Sequence, residues 1–497
     1  MQYTGDNTTI PPLRSFFPDQ LWDMLRQISK QRGIELYISG GTVRDWLLGK
    51  KPADLDITVS SGAEDCCRQL IALLGSGAFV MLGTDKEEAA RVVWQGNSID
   101  FSSYRKGARN IAEELHYRDF TVNCMAIGLK SLEQNSLAGI IDPLDGRTAL
   151  LEGCLRCCPG AFEDDPLRML RGYRLQAEYG FKLSASTVAE IKTHRRSVKS
   201  CAAERILNEM DRIMMSSGAA DTLKAMSESG LLWMVLPELE EGVGVDQPGY
   251  HHEDVFGHSL LALDCVERVM EESNIFFNKN SEVIADYLQS ARRRKNLRWS
   301  ALFHDLGKPV TRSSGKVAGE RITFYNHDRA GREIFGALAE RLRMSNADTT
   351  YIGKLIEMHM HPFHLSNVRR KEKLSRRALL RICKKAGDDL PGLFVLAMAD
   401  SLAGQGEDKP EYMEAELAAL FAEIEQARKR YIEPALHGRR LLNGHDLQEK
   451  FNLQPGPIFK RIFSSLELAQ VEEKIVTRND ALTWVDRYLR RAQEKSK

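Results

Sequence analysis

The sequence predicts an α+β N-terminal region, a mixed sheet with flanking helices, followed by an all-α remainder. Short apolar segments separated by glycine and asparagine breaks, which are typical of strands, occur between residues 36 and 102. Beyond Gly180 the apolar residues recur at helical spacing almost to the end of the chain. A chain of 497 residues exceeds one typical core, so we expect two to four domains.

The stretch LYISGGTVRDWLLGKKPADLDITV, residues 36–59, organises the first region. An apolar strand leads into Gly40 and Gly41, and a short helix follows them. Asp54 and Asp56 then stand two residues apart in a second apolar strand. Because side chains at positions i and i+2 of a strand point to the same side, these two carboxylates project together.

This arrangement suits nucleotidyl transfer. A glycine turn lets backbone amides approach a triphosphate, and the N-terminus of a helix favours anions. Paired carboxylates hold divalent metals, which activate an attacking hydroxyl and steady a leaving pyrophosphate. Two acids at this spacing are, by themselves, more often a solvated pair on a strand. The glycine turn and the Val-Arg-Asp segment that precede them favour the functional interpretation.

The segment SGGTVRDWLLGKKPADLDITV resembles the signature of class II nucleotidyltransferases, which include CCA-adding tRNA nucleotidyltransferases and bacterial poly(A) polymerases. The likeness continues in RDFTVNCMAIGL, IIDPLDGRTALLEG and DDPLRMLRGYR. The resemblance implies that Asp54 and Asp56 hold Mg²⁺ and that the partners are tRNA, CTP and ATP. It also implies a set of nucleotide-binding residues: Gly40, Gly41, Arg44, Asp45, Arg118, Asp119, Asn123, Asp165, Arg168, Arg171 and Arg174.

Two positions near this site leave alternatives open. Asp100 is either a third metal-side carboxylate or an ordinary acid in a strand. The segment between Arg105 and Arg118 is short, which is similar to the CC-adding subgroup that stops before the final A. By resemblance, Arg118 contacts the triphosphate and Asp119 the ribose, and both precede a helix predicted over residues 121–129.

The segment from Asp164 to Arg174 is predicted to select the base. Asp and Pro at its start are typical of a helix N-terminus. By resemblance, Asp165 and Arg168 bind the Watson–Crick edge of C or A, so that the protein acts as the template. Arg168, Arg171 and Arg174 recur every three residues, which predicts that they share one face and add positive charge.

A second constellation, of histidines and aspartates, begins at residue 258. Its pattern is similar to the HD superfamily of metal-dependent phosphohydrolases, and its members are His258, His304, Asp305, His327, His359 and Asp400. Imidazole and carboxylate ligands suit a divalent metal whose identity the sequence leaves open. The sequence also leaves open whether this site hydrolyses phosphate ends of RNA or is a vestigial scaffold.

The overall composition is that of an ordinary globular protein, with 69 basic and 69 acidic residues. RNA binding would therefore depend on local basic clusters such as residues 292–295 and 369–371. We find neither a membrane-length apolar run nor a signal-peptide pattern, and the nine cysteines are scattered. These features predict reduced thiols and a cytoplasmic location.

The sequence therefore predicts a nucleotidyltransferase head (1–150), a helical neck (151–245), an HD domain (246–405) and a helical RNA-binding tail (406–497). The favoured function is addition of C residues, with A left open, to the tRNA 3′ end. The rivals are a poly(A) polymerase, a phosphohydrolase with an inactive head, and a non-catalytic RNA-binding scaffold. The oligomeric state is left open.

Overall fold

The computed structural model describes residues 10–82, 88–132, 137–247, 249–250, 252–313, 322–438 and 440–494. The chain divides into two compact units, Met1–Val235 and Leu236–Lys497. The finer division into four domains remains a prediction. Among the described helices, none combines the length and apolar character that a membrane span requires.

The first unit is built on a mixed seven-stranded sheet with the strand order β3-β4-β5-β2-β1-β6-β7. Strands β2 and β5 are parallel, and the other neighbouring pairs are antiparallel. The strands are β1 (Tyr37–Ser39), β2 (Asp54–Val59), β3 (Ala78–Met81), β4 (Ala89–Trp94), β5 (Asn97–Ser103), β6 (Ala126–Gly128) and β7 (Ile140–Ile141). A separate two-stranded sheet pairs β8 (Cys154–Leu155) with β9 (Lys182–Leu183).

The helices of the first unit flank the sheet and continue beyond it, which confirms the predicted fold class. They are α1 (Asp19–Arg32), α2 (Gly41–Leu47), α3 (Ala63–Leu74), α4 (Ile111–Leu115), α5 (Leu129–Leu132), α6 (Gly146–Leu151), α7 (Ala161–Asp164), α8 (Leu167–Tyr179), α9 (Ala185–His194), α10 (Ala203–Met214), α11 (Ala219–Ser229) and α12 (Leu232–Val235). Helix α3 packs on β4 and β5, and α1 packs on α3.

The helix predicted over residues 121–129 is wrong. A single 3₁₀ turn covers Thr121–Asn123, and Ala126–Gly128 form strand β6 instead. This strand pairs with both β1 and β7, and its three residues are buried. A short apolar run does not distinguish a buried strand from a helix, so pairing with distant strands decided the outcome.

The parallel pair of β2 and β5 sets the position of the acidic residues. Asp56 lies opposite Asp100 in the register, and Leu55 lies opposite Ile99. Leu55 and Ile99 are fully buried, so their side of the sheet faces the core. Because side chains alternate between the two faces of a sheet, the carboxylates lie together on the other face.

The second unit contains helices only, apart from one isolated β-bridge, among its described residues. They are α13 (Val255–Glu271), α14 (Ser273–Phe277), α15 (Ser281–Tyr287), α16 (Ala291–Phe303), α17 (Lys308–Thr311), α18 (His327–Arg341), α19 (Asn346–Met358), α20 (His361–Arg369), α21 (Arg376–Ala386), α22 (Leu390–Ala403), α23 (Met413–Ala427), α24 (Glu433–His437), α25 (Gly444–Phe451), α26 (Pro457–Val471) and α27 (Arg478–Glu494).

Helix α22 lies at the centre of the second unit. Nearly every one of its residues is buried, as expected for a helix that is apolar on all sides. Helices α13, α15, α16, α19, α20, α21 and α23 pack against it. The C-terminal helices α25 to α27 form a smaller hydrophobic cluster of their own around Leu447, Ile462 and Leu466.

Candidate functional sites

The start of α2 is fixed to the acidic strand β2 by Thr42. Its Oγ1 donates to the carbonyl oxygen of Asp54 at 3.0 Å and accepts from the backbone N–H of Asp56 at 2.7 Å. The backbone N–H of Thr42 donates to Asp56 Oδ2 at 3.3 Å. The glycine turn and the two carboxylates are therefore held side by side, as the sequence predicts.

Only glycine fits at position 40. Its φ is +65°, a region that L side chains rarely adopt, and a Cβ would collide with the guanidinium of Arg118. Arg118 Nη2 donates to Ser39 Oγ at 2.8 Å and to Thr58 Oγ1 at 2.9 Å. In the described chain its Nε has no hydrogen-bond partner. The positively charged guanidinium of Arg118 therefore lies beneath the turn, next to Asp56.

The electrostatics of Asp56 fit a site for a divalent cation. Burial raises the pKa of Asp56 to about 6; Arg118 opposes this shift, and the charges of Asp100 and Asp54 add to it. Burial likewise lowers the pKa of Arg118. A cation placed beside Asp56 would stabilise its ionised form, and oxygen ligands of this kind suit Mg²⁺.

The sequence interpretation missed Arg91, which joins two of these carboxylates. Arg91 Nε and Nη2 bind the two oxygens of Asp100 at 2.6 and 2.7 Å, and Nη2 lies 3.4 Å from Asp54 Oδ2. The available signal was the alternation of apolar and polar residues in β4. Ala90 and Val92 are buried, and Arg91 between them lies opposite Asp100 in the register. Asp100 is thus held by Arg91 as well as being close to Asp56.

Several predicted nucleotide-binding residues form one hydrogen-bonded chain. Arg44 donates through Nε to Asp45 Oδ1 at 2.9 Å and through Nη1 to Asn123 Oδ1 at 2.8 Å. Asn123 Nδ2 donates to Asp119 Oδ1 at 2.9 Å, and Arg171 Nε donates to Asp119 Oδ2 at 2.9 Å. Although burial acts to raise it, the pKa of Asp119 is well below its usual range because of Arg171 and Asn123.

The predicted base-selecting pair stands at the start of α8. Asp165 Oδ1 accepts from the backbone N–H of Leu167 at 3.1 Å, which satisfies one of the free amides at the start of the helix. Its Oδ2 lies 2.7 Å from Arg205 Nη2. Arg168 Nη2 donates to the carbonyl oxygen of Tyr117 at 3.0 Å. These contacts bring the pair next to the segment that carries Arg118 and Asp119.

Arg174 does not share the face of Arg168 and Arg171. It is buried, and its Nε lies 3.3 Å from Glu209 Oε2 on α10. A three-residue step turns an α-helix by about 300°, so two steps leave Arg174 about 120° from Arg168. Burial lowers the pKa of Arg174, and Glu209 opposes that shift. Its positive charge therefore lies in an ion pair between α8 and α10.

The six residues predicted for the HD site converge within the second unit. They come from α13, the end of α16, the start of α18, the end of α19 and the buried helix α22. The Nδ1 atoms of His304, His327 and His359 each lie 2.7 or 2.8 Å from a backbone carbonyl oxygen. With Nδ1 as the donor, Nε2 of each ring is left as a ligand atom facing the centre of the cluster.

Asp305 lies between two pairs of histidines. His304 Nε2 is 3.1 Å from Asp305 Oδ2, and His258 Nε2 is 3.7 Å from the same oxygen. On the other side, His327 Nε2 and His359 Nε2 are 3.4 and 3.7 Å from Oδ1. In the described chain Asp305 Oδ1 has no hydrogen-bond partner, whereas Oδ2 forms an ion pair with Lys308. The donor set therefore fits divalent metal.

Asp400 completes the first half of this cluster. Its Oδ1 lies 3.0 Å from His258 Nε2 and 3.6 Å from His304 Nε2. Burial acts to lower the pKa of His304, but Asp305 and Asp400 raise it to about 10. Burial lowers the pKa of His359 to about 3, so this ring stays neutral. The paired carboxylates thus attract positive charge to this half of the site.

The sequence interpretation also missed Lys308 and Gln247, which support Asp305. Lys308 Nζ lies 2.6 Å from Asp305 Oδ2 and donates to Gln247 Oε1 at 2.6 Å. Gly307 is required for close approach, since a Cβ there would collide with the carbonyl oxygen of His327. The HDLGK spacing could have indicated Lys308, but a sequence gives no signal for the distant Gln247.

The fold and the site define a nucleotidyltransferase head of the poly(A) polymerase type. Residues 36–156 match the family described as the poly A polymerase head domain, 180–242 match its probable RNA and SrmB-binding site, and 255–403 match the HD domain. The chain belongs to the class II family of tRNA nucleotidyltransferases and poly(A) polymerases, in the form that carries a C-terminal HD domain.

Curated relatives match most of the chain. The A-adding tRNA nucleotidyltransferase of Deinococcus radiodurans is 29% identical over 456 residues, which cover 90% of this chain and 94% of the relative. The CC-adding tRNA nucleotidyltransferase of Thermus thermophilus is also 29% identical, over 89% of this chain and 91% of the relative.

Solved structures share the fold. The Bacillus stearothermophilus CCA-adding enzyme in complex with CTP is 20% identical, with a TM-score of 0.60 over 98% of this chain and all of its own. The Thermotoga maritima CCA-adding enzyme complexed with tRNA is 18% identical, with a TM-score of 0.59 over 96% and 97%.

Proposed function

We propose that the chain is a tRNA nucleotidyltransferase that adds C residues to the tRNA 3′ end from CTP, with addition of A from ATP as the open alternative. One observation carries the proposal: Asp54 and Asp56 project beside the Gly40–Gly41 turn, with Arg118 beneath it. Relatives named as A-adding and CC-adding tRNA nucleotidyltransferases that match about nine tenths of the chain support it.

In the proposed reaction the RNA 3′-hydroxyl attacks the α-phosphate in line and pyrophosphate leaves. Asp54 and Asp56 would hold divalent metal, with Asp100 as the third carboxylate. Mg²⁺ held there would supply activation of the hydroxyl and neutralise charge on the leaving group. The amides of Gly40 and Gly41 and the Arg118 guanidinium hold the triphosphate, and Asp119 binds the ribose.

The start of α8 selects the base. A carboxylate accepts from the exocyclic amine that C carries at ring position C4 and A at C6, where U and G carry a carbonyl oxygen. An arginine donates to the ring nitrogen or carbonyl beside the amine. Asp165 and Arg168 are proposed for these roles, and we expect the amine of the base to replace Arg205, whose side chain is 54% exposed, on Asp165.

The test is extension of two tRNA transcripts, one that lacks CCA and one that ends in CC, with each nucleoside triphosphate alone and with CTP and ATP together. Two added C residues identify a CC-adding enzyme, and CCA identifies full repair. Addition of A only to a tRNA that already ends in CC identifies an A-adding enzyme. Long A tails identify a poly(A) polymerase, and no extension overturns the proposal.

The assembled histidine cluster supports a second activity, hydrolysis of phosphate esters at RNA ends. The observation that favours it is the convergence of six ligand side chains, Asp305 among them, in one cluster, all of them buried. The test is release of phosphate from RNA ending in a 2′,3′-cyclic phosphate or a phosphate monoester, with Mg²⁺, Mn²⁺, Co²⁺ or Ni²⁺ supplied in turn. Equal rates for the chain and for Asp305→Asn would contradict this activity.

A further inference from the structure

The last residue of α8, Tyr179, contacts the helix that begins at the glycine turn. Its hydroxyl donates to Asp45 Oδ1 at 2.8 Å and accepts from Arg44 Nη2 at 2.8 Å. The guanidinium of Arg44 lies 4.5 Å from the centre of the tyrosine ring, and Phe181 stacks against that ring. Tyr179 thus uses both hydrogen-bonding roles of its hydroxyl, and its ring, at this junction.

These contacts close a circuit that begins and ends on α8. From Tyr179 it runs through Arg44 to Asn123, then to Asp119, and it returns to α8 at Arg171. Two turns of helix separate Arg171 from Tyr179, a distance of about 12 Å at 1.5 Å per residue. Helix α8 is therefore attached to the nucleotide-binding segments at both ends, through Arg168 and Arg171 near its start and through Tyr179 at its last residue.

We propose that Tyr179 is a positioning residue that fixes the base-selecting start of α8 relative to the triphosphate-binding turn. The proposal rests on the function proposed above and adds a determinant of specificity to it. Attachment at both ends fixes the angle of a helix, whereas attachment at one end lets it tilt. If the Tyr179 attachment is lost, α8 tilts about its start and turns Asp165 and Arg168 with it, and a displacement of about 1 Å costs about 100-fold in a preorganised site.

The substitution Tyr179→Phe tests this with little risk to folding, because it keeps the ring against Arg44 and Phe181 and removes only the hydroxyl. Tyr173→Phe is the matched control in the same helix, since the Tyr173 hydroxyl donates to the carbonyl oxygen of Ala225 at 3.3 Å, not to the circuit. We expect the ratio of kcat/KM for CTP over UTP to fall about tenfold in Tyr179→Phe. The control should keep the ratio of the unaltered chain.

A second measurement does not depend on catalysis. Hydrogen exchange of the backbone amides of residues 167–179, in the full chain without nucleotide, should be faster in Tyr179→Phe than in Tyr173→Phe. Unchanged exchange, or an equal loss of selectivity in both variants, overturns the positioning role. If the unaltered chain adds no nucleotide to tRNA, the proposed function fails, while exchange still decides whether the hydroxyl holds α8.

Discussion

The two candidate sites of this chain, the carboxylates of the head and the histidine cluster, differ in the secondary structure that carries them and in their exposure to solvent. The head site stands on neighbouring strands and is open to solvent, with the Asp54 side chain 40% exposed and Arg91 beside it. The histidine cluster comes from helix ends, and the side chains of His304 and His359 are fully buried. An open site with cations at its edge suits a large anionic substrate, whereas a closed set of imidazoles suits tightly held metal.

The largest expected effect is at the open site. Asp56→Asn should lower nucleotide transfer roughly 1000-fold or more, because metal stabilisation of transferring phosphate is worth several kcal/mol. Single-turnover extension of tRNA measures the loss, and Asp65→Asn, on the exposed surface of α3, is the control. Transfer within tenfold of the unaltered chain would remove Asp56 from the reaction.

The next effect should be confined to the closed site. Asp305→Asn removes the carboxylate between the histidine pairs, so we expect tightly bound metal to fall roughly tenfold, with nucleotide transfer changed less than about twofold. Metal analysis after gel filtration measures the content. The exposed His364→Ala should retain the metal. A parallel loss of transfer in Asp305→Asn would break the independence of the two sites.

A pair of glycine variants sharpens the comparison. Gly40→Ala should lower transfer about 10- to 100-fold because the new Cβ collides with Arg118, and it should leave the metal content unchanged. Gly307→Ala should lower the metal content and leave nucleotide transfer unchanged, since its Cβ collides with the carbonyl oxygen of His327. Both activities and the metal content are measured on each protein. Loss of both functions in either variant would show global unfolding instead.

Local patterns predicted the parts of the molecule that local physics controls. The spacing of Asp54 and Asp56 and the glycine turn were visible in sequence, and the structure has them. Strand β6 was mistaken for a helix because its pairing partners lie far away along the chain. The histidine ligands came from resemblance to a family, since no local rule joins helices so far apart in sequence.

The missed residues share one cause. Arg91, Tyr179 and Gln247 each act through a partner whose proximity depends on the completed fold. Arg174 was misplaced because a repeat of three drifts around a helix whose period is 3.6. The sequence therefore indicated the chemistry of the site more reliably than it indicated the side chains that hold the site together.

The buried helix α22 has a consequence for what happens when the chain is heated. Its fourteen residues, LPGLFVLAMADSLA, carry a single charge. Unfolding of the second unit therefore exposes an apolar, nearly uncharged segment that is prone to aggregate. Such segments associate between molecules faster than they return to their own fold. We expect thermal denaturation to be irreversible, with a transition temperature that depends on scan rate and no recovery of signal in a second calorimetric scan.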